Sequence, residues 1–351
     1  MSWEENIRKV VPYIPGEQPK SNKVIKLNTN ESPYPPSPLV AKAIKDYDPD
    51  GLRKYPDTEA TELVQELADT YKLPKDRIFV GIGSDDVLAL SFLTFFNSKK
   101  PVIFPDITYS FYDVWADLYG IPYETKALDD DFNIITQDYL CDNGGVVIAN
   151  PNAPTGAQMD ICDIEKIIAY NKDRVVIIDE AYVDFGALST IPLIEKYDNL
   201  VVVQTFSKSR ALAGIRIGAA FGQEKIIGYL KDVKFSFNSY TLNPLTIAVG
   251  AAALRDDEYF KMITQKTVAT RERVKKELRQ LGFSFADSKT NFIFARHESK
   301  SASDIFEALK KQNIYVRYFK KPRIDNYLRI SMGTDDQMDE MLSFLKGYLN
   351  G

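Results

Sequence analysis

Apolar residues follow two rhythms along this chain. Val146-Val147-Ile148, Val175-Val176-Ile177-Ile178, Leu200-Val201-Val202-Val203 and the segment 215–221 are short runs with little or no polar interruption. Runs of that length, apolar on both faces and separated by room for crossovers, predict a mostly parallel sheet covered by helices. Ile78-Phe79-Val80 predicts one more strand, which enters Gly81-Ile82-Gly83-Ser84-Asp85-Asp86 and then a helical pattern over 87–96. That is a strand, a glycine turn and a helix start. The second rhythm, one apolar residue every three or four, places Leu63, Leu67 and Tyr71 on one face of a helix over 58–72 and predicts another helix over 164–170.

The ends of the chain read differently. Seven prolines fall within the first 38 residues, which predicts an extended arm with few regular elements. Beyond about residue 245 a helix-rich stretch includes a charged helix over 266–280 that ends at Gly282. Alternating Phe283, Phe285 and Asn291-Phe292-Ile293-Phe294 follow, then a helix over 304–311, strands over 314–318 and 328–331, and a last helix opened by Thr334 with Gln337 three residues on, the spacing of a capping box. The fold class is therefore α/β: a large domain with a mostly parallel sheet flanked by helices, plus a smaller α+β domain. At 351 residues the chain divides into an arm (1–30), a large domain (31–245) and a linker helix with a small C-terminal domain (246–351).

Composition removes several functions. A net charge of −5 leaves no footprint for nucleic acid or an anionic membrane. Cys141 and Cys162 have no metal spacing, and the opening Met1-Ser2-Trp3-Glu4-Glu5-Asn6 has no apolar signal core, so a soluble, reducing, cytoplasmic setting is expected. No apolar stretch approaches the ~18 residues of a membrane helix. A single histidine, His297, cannot build a multi-histidine metal site, and base catalysis falls to lysine, carboxylate or tyrosine.

Ligands of open parallel sheets sit beyond the carboxyl ends of the strands, where this chain collects Asn150 and Asn152, Asp179 and Tyr182, Ser207 and Lys208. Asn150 to Asp179 and Asp179 to Lys208 are each 29 residues, about one strand and crossover, so the residues can converge. A lysine and an aspartate at the ends of two strands are what a chain needs to hold pyridoxal phosphate: the lysine condenses with the aldehyde and afterwards shuttles protons, while the aspartate pairs with the pyridinium nitrogen. Tyr182 would donate to the ring hydroxyl oxygen. Ser207, Arg216 and the backbone N–H groups of Ser84 and Asp85 would hold the phosphate, and Tyr109 would lie over the ring. Each signal alone has a plainer explanation, such as a solvated lysine or an Asp-Glu pair of a nucleotide hydrolase. The hydrolase would bring a Gly-x-x-x-x-Gly-Lys-Ser/Thr loop, which is absent, and Gly81-Ile82-Gly83 lacks the third glycine of the dinucleotide fingerprint.

Several spaced motifs carry a resemblance over nearly the whole chain: Pro12-Tyr13-Ile14-Pro15-Gly16, Leu27-Asn28-Thr29-Asn30-Glu31-Ser32-Pro33-Tyr34, Arg53-Lys54-Tyr55-Pro56-Asp57, Gly83-Ser84-Asp85, Asn150-Pro151-Asn152-Ala153-Pro154-Thr155-Gly156, Asp179-Glu180-Ala181-Tyr182, Ser207-Lys208, Leu212-Ala213-Gly214-Ile215-Arg216-Ile217-Gly218 and Leu328-Arg329-Ile330-Ser331-Met332-Gly333-Thr334. The chain resembles the fold type I pyridoxal phosphate aminotransferases, and within them the histidinol-phosphate branch. The resemblance implies a homodimer in which Tyr55 reaches the cofactor phosphate of the other subunit. It also implies a substrate pocket of Tyr13, Asn30, Arg317 and Arg329, with Arg329 receiving the anionic group; a fork-shaped guanidinium accepts a carboxylate or a phosphate ester. The implied reaction is transamination between L-histidinol phosphate and 2-oxoglutarate. Threonine-phosphate decarboxylation, an aromatic or broad-specificity aminotransferase and a non-catalytic binding protein of the same fold stay open as alternatives. Where the family places an asparagine on the cofactor's ring oxygen this chain has Ala153, and Asn152 is carried as the cofactor-binding residue in its place.

Overall fold

The computed structural model describes residues 2–19 and 23–350. Strand β1 (Ile25–Leu27) leads through a proline-rich strap to helices α1 (Pro38–Asp46) and α2 (Thr61–Tyr71). There follow β2 (Ile78–Gly81), α3 (Gly83–Phe95), β3 (Val102–Pro105), α4 (Tyr112–Tyr119) and β4 (Tyr123–Lys126). Next come β5 (Gly145–Ala149), α5 (Ile161–Tyr170), β6 (Val176–Asp179), β7 (Leu200–Thr205) and β8 (Gly218–Phe221). Helices α6 (Glu224–Phe237), α7 (Pro244–Arg255) and α8 (Asp257–Gln280) lead to β9 (Phe283–Phe285), β10 (Phe292–His297), α9 (Ala302–Lys311), β11 (Ile314–Tyr318), β12 (Leu328–Ser331) and α10 (Asp335–Asn350).

The large sheet has the order β2-β8-β7-β6-β5-β3-β4. Its centre is parallel, with Val146 opposite Val176 and Val176 opposite Leu200. Alternation explains why these runs are apolar throughout: Val146, Ile148, Val176, Ile178, Leu200 and Val202 point into one buried layer, while Val147, Ile177, Val201 and Val203 point into the other. One expectation is corrected here. The run over 215–221 is not a parallel strand: β8 pairs antiparallel with both β7 and β2. The link over 206–217 contains no crossover helix, so the chain turns back at the carboxyl end of β7 instead of returning to the other edge. That link holds Lys208 and Arg216.

Capping explains the helix ends. The helix predicted over 58–72 begins at Thr61, because the Asp57 carboxylate accepts from the Thr61 N–H at 2.8 Å. Helix α8 starts well before Lys266, since Asp256 accepts from the Tyr259 N–H at 3.3 Å. Thr334 and Gln337 form the reciprocal capping box, at 2.9 and 3.3 Å, that opens α10.

The small sheet, ordered β1-β11-β12-β10-β9, is built from both ends of the chain. Strand β1 runs parallel to β11, with Ile25 opposite Ile314. The amino-terminal segment, expected to carry few regular elements, thus supplies an edge strand. A third core joins Leu27 to Val274, Ile305 and Leu342 of the covering helices. Antiparallel β11 and β12 set Arg317 opposite Arg329.

Candidate active site

The site lies where β5, β6 and β7 end and α3 begins. A cavity of about 180 Å³ is lined by Ser84, Asp85, Tyr109, Asp179, Tyr182, Ser207, Lys208 and Arg216. Asp179 closes β6. Lys208 lies in the turn after β7, where its ammonium donates to the Thr29 carbonyl at 3.1 Å and sits 6.0 Å from the centre of the Tyr182 ring. At the other end, Arg216 donates to Asp85 Oδ2 at 3.1 Å and to Ser207 Oγ at 3.4 Å. Asp85 Oδ1 accepts from the Tyr109 hydroxyl at 2.7 Å. The first N–H groups of α3 have no partner within the helix and supply donors at the same end. Two glycines make this possible. Gly83 has φ +80°, and a Cβ there would stand 2.5 Å from Arg216 Nη2; at Gly218 a Cβ would collide with the Gly83 and Ser84 backbone. Arg216 itself holds a left-handed φ of 62°, a strained conformation that the enclosing turn imposes.

Burial sets the electrostatics. Asp179 is 4% exposed, and loss of water raises its pKa from 3.8 to about 6, against the opposing hydrogen bonds from Tyr112 and the Ala181 N–H. Burial, assisted by the positive charge of Arg329, lowers Lys208 from 10.5 to about 8. For Asp179 the folded chain binds the proton more tightly than the unfolded one, so its contribution is intact below pH 3.8 and lost as pH rises through 6. Lys208 has the opposite sign: its contribution is intact above 10.5 and lost as pH falls through 8. The charged Asp179 carboxylate therefore costs the cofactor-free protein on the order of 3 kcal/mol at neutral pH. Asp179→Asn is expected to raise the melting temperature by roughly 5 °C at about pH 7.5, with the gain shrinking as pH falls through 5. Melts of the cofactor-free protein at several pH values check this; a gain that does not depend on pH would contradict it.

Glu180, the other half of the Asp-Glu pair, points away. It is 2% exposed and accepts from Ser189, Thr190 and Gln204 side chains at 2.6, 2.7 and 2.9 Å, so it braces the loop after β6.

A second cavity, about 160 Å³, shares Thr29, Tyr109, Ala153, Tyr182 and Lys208 with the first and adds Tyr13, Asn30, Arg317 and Arg329. Among the described residues three cationic side chains line it and no carboxylate does. Arg329 donates to the Asn28 carbonyl at 3.0 Å and lies over the rings of Phe292 and Phe319, while its buried Nε has no partner among the described residues. Asn30 bridges the cavities: its amide donates to the Tyr182 hydroxyl at 2.8 Å, and its oxygen accepts from Ser331 at 2.8 Å. Tyr13 stacks on Phe111 at 4.2 Å, which brings the amino-terminal arm over the opening.

The fold thus gathers Ser84, Asp85, Tyr109, Asp179, Tyr182, Ser207, Lys208 and Arg216 at one cavity, and Tyr13, Asn30, Arg317 and Arg329 at its neighbour. Asn152 departs from expectation. Its oxygen accepts from Thr108 at 2.8 Å and its amide donates to the Ile107 carbonyl and to Thr155, so these bonds tie the loop after β5 to the loop after β3, and its neighbour Ala153 lines both cavities where Asn152 lines neither. Tyr55 lies outside both cavities, 81% exposed, with its ring 4.5 Å from that of Tyr240. Thr29 and Tyr112 join the site through contacts that the pattern of the chain does not carry. Tyr112 stands three residues after Tyr109 in a run that reads as core, and only the adjacency of α4 to the end of β6 reveals its contact with Asp179.

Pyridoxal phosphate suits this donor set: cationic and N–H donors at one end, a buried carboxylate that lacks a cationic partner at the other, and an amine depressed toward neutrality between them. Comparison with known proteins gives the class. The family model for aminotransferases of class I and II matches residues 22–345, and the chain belongs to that family. It is 53% identical over 349 residues to the histidinol-phosphate aminotransferase of Lactococcus lactis subsp. cremoris strain MG1363, covering 99% of this chain and 98% of that one. The Clostridium acetobutylicum protein of that name is 52% identical over 344 residues, with 98% of each chain covered. Among solved structures, the histidinol-phosphate aminotransferase of Sinorhizobium meliloti, in complex with pyridoxal-5'-phosphate, superposes with a TM-score of 0.83 at 26% identity, over 93% of this chain and 92% of that one.

Proposed function

We propose that this chain is a pyridoxal phosphate-dependent transaminase that moves the amino group of L-histidinol phosphate to 2-oxoglutarate, giving imidazole acetol phosphate and L-glutamate, a step of histidine synthesis. The observation that carries the proposal is the second cavity: Arg317 and Arg329 beside Lys208, with no carboxylate in the lining. Such a pocket selects anionic amines and anionic oxo acids, and a guanidinium fork serves a phosphate ester in one half-reaction and a carboxylate in the other.

Bound at these residues, the cofactor supplies an aldehyde that captures the amine and a ring that accepts the electrons released at the substrate carbon. The chain does the rest. Lys208 in its neutral form takes the proton from the substrate carbon and returns it on the cofactor side. Asp179 holds a proton on the ring nitrogen through its negative charge. Tyr182, oriented by Asn30, presents its hydroxyl to the ring oxygen, while Ser207, Arg216 and the N–H groups at the start of α3 anchor the phosphate. Arg329 and Arg317 hold the far end of the substrate so that its amine meets the cofactor.

The working unit in this reading is a cytoplasmic homodimer. Among the described residues no helix is long and apolar enough to cross a membrane. Tyr55, with exposed Leu52, Phe237 and Tyr240, forms an apolar surface suited to a second copy, whose cofactor phosphate Tyr55 would reach. Of the division into an arm (1–30), a cofactor domain (31–245) and a small domain (246–351), the two sheets and their separate cores support two domains, but Ile247, Val249 and Leu254 of α7 pack in the core of the large one, which favours an edge after α7.

Steady-state turnover over a panel of amino donors with 2-oxoglutarate tests the function. L-histidinol phosphate is expected to give the highest kcat/KM, with one glutamate formed per amine consumed. Faster turnover of phenylalanine, or release of CO2 from threonine phosphate, would replace the proposed substrate.

A further inference from the structure

Tyr112 is fully buried in the first turn of α4. Its ring packs among Phe92, Phe104, Tyr109 and Trp115 at centroid distances of 5.7 to 6.3 Å. A phenylalanine would make all of these contacts. The one atom that distinguishes tyrosine is the hydroxyl, and burying it among rings is unfavourable unless it is hydrogen-bonded. It donates to Asp179 Oδ2 at 2.8 Å. The other carboxylate oxygen accepts from the Ala181 N–H at 3.1 Å. Among the described residues no cation pairs with Asp179, and the nearby charge of Asp85 on α3 opposes its ionisation. The carboxylate is therefore held by two donors, one from its own loop and one from α4.

We propose that Tyr112 is the positioning residue for Asp179: its hydroxyl fixes the plane of the carboxylate and keeps it anionic toward the ring nitrogen of the cofactor. The inference rests on the cofactor reading given above and adds to it the source of the carboxylate's charge. A hydrogen bond to a charged group stabilises that charge more than a neutral one, and it acts here on a carboxylate that is only 4% exposed.

The test compares equilibrium binding of pyridoxal phosphate with that of its 1-deaza analogue, in which carbon replaces the ring nitrogen, for the native protein and Tyr112→Phe. The native protein is expected to prefer the nitrogen ring. Tyr112→Phe should reduce that preference about tenfold, equivalent to about 1.4 kcal/mol, with affinity for the carbon analogue unchanged within about twofold. An unchanged preference, or equal loss for both compounds, would make the hydroxyl a packing feature and overturn the proposal. So would a Tyr112→Phe protein that fails to fold without either compound, since the hydroxyl would then serve the core. Asp179→Asn separates the two levels. If the native protein and Asp179→Asn show the same ring preference, the placement of Asp179 at the ring nitrogen falls, and the role of Tyr112 with it; if Asp179→Asn loses the preference and Tyr112→Phe keeps it, only the role of Tyr112 falls.

Discussion

Lys208→Ala is expected to lower kcat by on the order of 10⁴-fold or more while the protein stays folded. Among the described residues no other amine lines the cofactor cavity, and the one histidine, His297, is bonded at both ring nitrogens within the small domain. The substitution removes both the group that holds the aldehyde and the base that moves the proton. It also removes a buried ammonium that the fold accommodates at a cost, so the melting temperature of the cofactor-free protein should not fall. With the pKa of Lys208 at about 8 in the cofactor-free protein, the rate at which that protein captures pyridoxal phosphate should rise as pH increases through that value, because the neutral amine is the form that attacks the aldehyde. Single-turnover measurement of ketone product per site checks the prediction, and a rate within about tenfold of the native one would remove Lys208 from the chemistry.

The second large effect concerns Arg329. Arg329→Gln is expected to lower kcat/KM for L-histidinol phosphate and for 2-oxoglutarate alike, by on the order of 10²- to 10³-fold each. Both substrates lose the same charged fork, which lines the second cavity beside Lys208. Arg317 stands opposite Arg329 across β11 and β12 and also lies over Phe319; alone it keeps part of the positive charge and lacks the second fork. Arg329→Lys should recover only part of the loss, since an ammonium keeps the charge and loses the planar pair of donors. Kinetics of each half-reaction measured separately decide the matter: a loss confined to one substrate would mean that the two anions use different sites.

Much of this was legible in the chain. The runs 175–178 and 200–203 could only be central strands, and the polar residues at their ends had to share one rim, so Asp179, Ser207 and Lys208 followed from local pattern and the geometry of parallel sheets. Thr334 and Gln337 gave the start of α10 because capping chemistry is local. What pattern could not give was direction and long-range pairing. β8 is as apolar as its neighbours, and its reversal comes from the absence of a crossover helix before it. The unit β3-α4-β4 leaves no clear pattern because Pro101 and Pro105 bracket the apolar run of β3 and β4 is largely exposed. Asn152 reads as a ligand by motif spacing, but its amide is satisfied by Ile107 and Thr155, contacts made across the loop. Tyr112 reads as core and is core; its hydroxyl gains a role only because Asp179 lies beside it.

The pairing of Ile25 with Ile314 has a consequence for how the molecule is made. A ribosome releases β1 long before its partner β11, so the segment bearing Thr29 and Asn30 waits, without its hydrogen-bonded neighbour, while the central sheet and its helices gather. A product cut short before β11 would carry Asp179 and Lys208 intact, yet it would have neither Arg317 nor Arg329, and nothing to anchor the strap that joins the two cavities. Chemistry therefore becomes available only once β11 and β12 have been made, and chains cut before them should be inactive although most of their central sheet can form.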